Sequence, residues 1–182
     1  AAAQAPARYA NPIIFADYSD PDVIRVGGDY YLVSSSFHMS PGIPVLRSRD
    51  LVHWTIIGHV LPRLDFAPEY DMPGPFRLDD ARSKPVDGTR YAGGVWAPSI
   101  RHHGGLFYVY WPTPDEGIFM ATAKDPAGPW SKPVKDIDQP MLEDPCPFWD
   151  DDGTAWLVHS RHGAGPLILH RMSADGARSV EH

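Results

Sequence analysis

The chain has 182 residues, 43% apolar and 21% charged, which suits one packed domain and not a disordered segment. Its formal net charge of −7 argues against a nucleic-acid partner, which needs a basic surface, and leaves an uncharged ligand open. No run of about 18 apolar residues occurs, so no helical membrane span is expected.

Twenty prolines and sixteen glycines, without a collagen-like period, point to an all-β protein with many tight turns. Residues 1–10 read as a disordered tail. The small residues Ala1-Ala2-Ala3-Gln4-Ala5-Pro6-Ala7 look like the region around a signal-peptidase cut, so a secreted or periplasmic protein is expected. Asn11-Pro12-Ile13-Ile14-Phe15 is a short apolar strand candidate. Val23-Ile24-Arg25-Val26 and Tyr30-Tyr31-Leu32-Val33-Ser34-Ser35 form two strands across the Gly27-Gly28-Asp29 turn. Val45-Leu46-Arg47-Ser48 and Thr55-Ile56-Ile57-Gly58 complete a unit of four short antiparallel strands within 11–63.

A polar, Pro- and Asp-rich stretch, 64–90, follows and reads as a loop insertion near the site or an irregular cover. The second unit, 91–139, has strands at Trp96-Ala97-Pro98-Ser99-Ile100-Arg101, Leu106 to Trp111 and Ile118 to Ala123. The third, 140–182, has strands at Glu143 to Trp149, Ala155 to His159 and Leu167 to Met172, and Val180-Glu181-His182 shows no closing element.

The units repeat. Gly27 and Gly28 lie six and seven residues after Pro21, and Gly104 and Gly105 lie six and seven after Pro98. Tyr31 and Tyr108 stand at offset ten, while Gly153 and Trp156 stand one residue later relative to Pro145. Four-stranded units of this size are what a β-propeller blade needs. Blades bury their faces by stacking in a ring, and three units leave that ring incomplete within one chain.

The residue before each unit's proline heads the innermost strand. These residues are Asp20, Ala97 and Asp144, and in a propeller they would surround one axial cavity. Two carboxylates on a shared pocket suit acid/base chemistry, although Asp-Pro is also a common turn opener. Phe37 and Trp96 could stack on the apolar face of a sugar or pack between blades. Trp54, Trp130, Trp149 and Trp156 read as packing residues. Cys146, the one cysteine, has no disulfide partner and reads as a buried, inert thiol. The nine histidines show no helical zinc-binding spacing.

Asn11 to Ile14, Tyr18 to Arg25, Ser34-Ser35-Ser36-Phe37, Pro41-Gly42-Ile43-Pro44, Ser48 to Trp54, Gly94 to Pro98, and Asp144-Pro145 with Asp151-Asp152-Gly153 together resemble the glycoside hydrolases of family 43. The resemblance runs from about Asn11 to the last residues. It implies a five-bladed β-propeller of which this chain holds about three blades. It implies inverting hydrolysis of β-xylosyl or α-L-arabinofuranosyl units, with xylo- or arabino-oligosaccharide as partner. By motif, Asp20 would be the general base and Asp144 the carboxylate that orients the proton donor. Phe37 and Trp96 match sugar-pocket aromatics of the family, while Ala97, by its inner-strand position, and Glu143, beside Asp144, are further candidates for the sugar site. No cofactor is implied, although some members hold a calcium near the axis.

The family's general acid lies in a Glu-Gly-Pro motif. None of the four glutamates here (Glu69, Glu116, Glu143 and Glu181) does. Glu116 opens the third strand of its unit, toward the outside, and Glu143 adjoins Asp144 and could approach the pocket, although neighbours on a strand point to opposite faces. Three readings follow: the N-terminal part of a hydrolase with an incomplete site, a homo-oligomer closed through exposed blade faces, or a non-catalytic carbohydrate-binding module.

Overall fold

The structure, a computed structural model, describes residues 8–67, 70, 92–163 and 165–181, with the Glu181 side chain left aside. Most of segment 64–90, with Glu69, lies outside the described residues, as do Ala1 to Ala7.

Twelve strands form three four-stranded antiparallel sheets among the described residues. The first sheet runs β1 (Asp22–Val26), β2 (Asp29–Val33), β3 (Gly42–Ser48), β4 (Thr55–Leu61). The second runs β5 (Ser99–His103), β6 (Leu106–Thr113), β7 (Gly117–Ala123), β8 (Val134–Ile137). The third runs β9 (Leu142–Trp149), β10 (Ala155–Arg161), β11 (Ile168–Met172), β12 (Ser179–Glu181). Each sheet is an up-and-down meander, the order of a propeller blade.

Turn chemistry fixes the first hairpins. Val26 pairs with Asp29 across Gly27-Gly28, and Gly27 has φ of 61°. His103 pairs with Leu106 across Gly104-Gly105, both at positive φ. Two left-handed residues match the strand twist, which selects glycine there.

Alternation on β6 explains the packing. Phe107, Val109 and Trp111 join Tyr31, Val33 and Val45 in a core between the first two sheets. Tyr108 and Tyr110 join Leu142, Leu157 and Met172 in a core between the second and third. The middle blade is thus buried on both faces, and its second strand reads as a continuous apolar run. The phenols stay satisfied: Tyr108 Oη donates to Asp175 O at 2.8 Å and Tyr110 Oη to Gly176 O at 2.5 Å.

The inner strands β1, β5 and β9 are tied side by side. Asp22 accepts from the Ile100 amide at 2.8 Å and from Arg101 Nη1 at 2.5 Å. Arg101 Nη2 lies 2.8 Å from Cys146 Sγ, and Ser99 Oγ donates to Pro145 O at 2.6 Å. Cys146 is therefore half-buried beside a guanidinium, not enclosed by apolar groups as the sequence suggests.

Two expectations need correction. Asn11 to Phe15 forms no strand, and Phe15 is 97% exposed. Pro12 supplies no amide hydrogen, which weakens any ladder there. The third unit does have a closing strand, β12, where Met172 pairs with Ser179 and the Asp136 carboxylate accepts from Ser179 N and Oγ. Glu116 lies in the β6–β7 turn, where Tyr70 Oη donates to it at 3.1 Å. That turn is at the end of the blades where the inner strands begin.

Trp54 and Trp149 anchor turns. Trp54 Nε1 donates to Leu51 O at 3.0 Å, while Trp149 stacks on His103 with ring centroids 4.3 Å apart. Trp130 packs against the core of the first two sheets.

Candidate active site

Asp20 stands immediately before β1 in a left-handed conformation, φ 48°. Such a backbone is disfavoured for any side chain with a Cβ and persists only where neighbours hold it. The holders are consecutive serines after β2. Ser34 Oγ and the Ser35 amide both donate to Ser19 O, at 2.7 and 3.1 Å. Ser35 Oγ donates to Asp20 Oδ2 at 2.7 Å. Ser36 Oγ accepts from the Ile43 amide at 3.0 Å, which fixes the start of β3. All three serines are buried.

Asp144 is the third residue of β9, also left-handed at φ 56°. A bulge explains why. Cys146 pairs with Val158 but Glu143 pairs with Ser160, so Asp144 and Pro145 together stand opposite the single residue His159. A bulge of this kind re-aims side chains and breaks strict alternation. Glu143 Oε1 accepts from Ser160 Oγ at 3.2 Å. The carboxyl of Asp144 is pushed above its ordinary range, first by partial desolvation, then by the anions of Glu143 and Asp20. The charge of Asp20, on the first blade, thus reaches Asp144 on the third.

The aromatic rim is built across the first two blades. Phe37 has φ of 51° and pairs with Val95 in an isolated antiparallel bridge. Trp96 Nε1 donates to Ala92 O at 2.9 Å, and the Trp96 amide donates to Pro112 O at 3.1 Å. The Ala92 amide donates to His38 Nδ1 at 3.2 Å. The His162 ring lies 5.5 Å from that of Trp96, bringing in the third blade. Ala97 follows, half-buried at the head of the middle inner strand. Sequence reasoning missed Ser35, Ser160 and His162, whose placement depends on register across strands.

Among the described residues, no three His, Cys, Asp or Glu side chains are grouped to hold a metal ion. His159 and His170 are buried and face one another, Nε2 to Nε2 at 2.8 Å, as part of blade packing.

Three four-stranded meander sheets, packed face to face in sequence, define a partial β-propeller. Residues 9–182 match the family model described as glycosyl hydrolases family 43, and the chain belongs to that family, whose fold has five blades. It is similar to a β-xylosidase of Formosa agariphila, 41% identical over 185 residues, covering 95% of this chain and 29% of that protein. It is also similar to a non-reducing end α-L-arabinofuranosidase of Bacteroides ovatus, 44% identical over 131 residues, covering 69% of this chain and 22% of that protein. A solved family 43 hydrolase engineered for endo-xylanase and exo-arabinofuranosidase activity superposes with a TM-score of 0.76. It is 32% identical, and the match covers 95% of this chain and 32% of that one. The chain spans under a third of the length of these relatives.

Proposed function

We propose that this chain supplies part of the active site of a glycoside hydrolase acting on β-xylosyl or α-L-arabinofuranosyl units of plant polysaccharides, with inversion. The observation that carries this reading is that Asp20 and Asp144, at or before the inner strands of separate blades, both hold a left-handed backbone, with Asp20 bonded to the buried Ser35 hydroxyl. Asp20 is the general base and draws a proton from a water on the far side of the anomeric carbon. Asp144 orients the proton donor, and its charge disfavours ionisation of that donor, which must stay protonated until used. Inversion needs base and acid about 6.5–9.5 Å apart, with water between them and the sugar. Phe37 and Trp96 stack on the sugar, Ala97 leaves it room, and Glu143 offers its carboxylate to hydroxyls. The donor comes from outside this chain, since none of its glutamates lies in Glu-Gly-Pro.

The test is hydrolysis of aryl β-xyloside and aryl α-L-arabinofuranoside. This chain alone should be slower than the whole polypeptide by at least the factor of about 10²–10⁴ that acid catalysis contributes. In the whole polypeptide, Asp20→Asn should abolish turnover, and the first-formed sugar should have inverted configuration by proton NMR. A retained configuration, or unimpaired turnover by Asp20→Asn, would refute the reading.

The open face of the third sheet favours a second reading. Phe148, Leu167 and Leu169 are 38, 79 and 47% exposed there. Apolar groups so placed favour association, and copies of this chain would pair through that face. A monomer by sedimentation at every concentration tried would dismiss it.

A further inference from the structure

We infer that Ser35 is a positioning residue for Asp20, one that holds the carboxylate so that a single oxygen is left to take the proton from water. The inference rests on Asp20 being the general base.

Two tasks fall to neighbouring serines and are kept apart. The backbone is held by Ser34 Oγ and the Ser35 amide, both donating to Ser19 O. The carboxylate is held by the Ser35 hydroxyl, 2.7 Å from Asp20 Oδ2. A hydroxyl has one hydrogen to donate, and Ser35 directs it at the carboxylate. Ser35 is 6% exposed and follows directly from β2, so its rotamer is fixed by packing, whereas Asp20 is exposed at the head of β1. A short bond from a rigid donor to a charged acceptor is among the stronger hydrogen bonds. It commits Oδ2 and leaves Oδ1 outward, where its lone pair can accept the proton as oxygen attacks carbon. Proximity catalysis is sensitive to such placement.

The third blade holds a related pair. Ser160, on the second strand of its sheet, donates to Glu143, the neighbour of Asp144 on the inner strand, at 3.2 Å. On the middle blade Ala97 offers no acceptor.

The whole polypeptide would be assayed on dinitrophenyl β-xyloside and α-L-arabinofuranoside. Their leaving group departs without protonation, so the rate reports on the base. Ser35→Ala should lower kcat by about 10- to 100-fold, the worth of a hydrogen bond to a charged group, with KM within about twofold. Ser35→Thr, which keeps the hydroxyl, should restore most of kcat. The Asp20 carboxyl ¹³C resonance, read without turnover, should move in Ser35→Ala and less in Ser35→Thr. Wild-type kcat in Ser35→Ala beside an inactive Asp20→Asn would overturn the inference and leave the base intact. So would an unmoved resonance, or a loss that Ser35→Thr does not mend. Full turnover by Asp20→Asn would instead remove the base reading itself.

Discussion

The amides of Phe37 and Val95 each donate to the other's carbonyl, at 2.8 and 3.0 Å, and this single bridge joins the rims of the first two blades. Gly94 makes it possible. Its φ is 78°, and a Cβ there would lie 2.3 Å from Phe37 O, a backbone atom that cannot step aside. Gly94→Ala should cost about 2 kcal/mol or more of stability in urea titrations. It should also weaken xylo-oligosaccharide binding, because Phe37 and Trp96 lie on either side of the bridge.

Asp22 serves two donors from the next blade, the Ile100 amide and Arg101 Nη1. Asp22→Ala strands both at a partly buried junction and should destabilise by about 2–4 kcal/mol. Asp22→Asn keeps an acceptor for the amide and should cost less. Chemical denaturation with the two variants side by side separates the charge from the hydrogen bond.

Asp144 should be a local source of instability above acid pH. Its carboxyl is pushed up by desolvation and by the anions of Glu143 and Asp20, so the folded state holds that proton more tightly than the unfolded state. Stability from this group is therefore fully present below the unfolded carboxylate range and is lost as pH rises through the raised folded value. Asp144→Asn should melt slightly higher than wild type at neutral pH, by about 0.5 kcal/mol or less given solvent screening. The difference should vanish near pH 3. A variant that melts lower at pH 7 and level at pH 3 would contradict the sign.

Trp96 should contribute to sugar binding through its face, with His162 limiting how the ring tilts. By calorimetry, Trp96→Ala should weaken xylo-oligosaccharide binding about tenfold or more, and His162→Ala by less than that. Equal losses would mean that the histidine itself contacts the sugar.

The inner strands were legible because their signals are local. A proline, a glycine turn at fixed offset and an aromatic at offset ten lie within one hairpin, so Asp20, Ala97 and Asp144 stood out as strand heads. The outer strands β8 and β12 were not, because Val134–Ile137 and Ser179–Glu181 are short and carry little periodic pattern. The bulge that places Glu143 against Ser160 was equally hidden. It is set by what lies across the sheet, which the pattern along β9 alone does not carry. Ser35 escaped for a similar reason, since it reads as the end of the second strand until the fold shows which group its hydroxyl meets.

The meander order of each blade separates two kinds of sequence change. An inner strand starts, and an outer strand finishes, at the end of the blade where Asp20 lies. The chain therefore leaves β4 at Leu61 and rejoins β5 at Ser99 at that same end. Among the described residues, strands therefore leave one blade and enter the next at the end where the inner strands begin. The opposite end holds the tight hairpins and the ion pair of Arg47 with Asp29 at 2.8 Å. Insertions at one end can reshape what the protein recognises while the other end keeps the blades in register. A family built this way can diversify its substrates without rebuilding its scaffold.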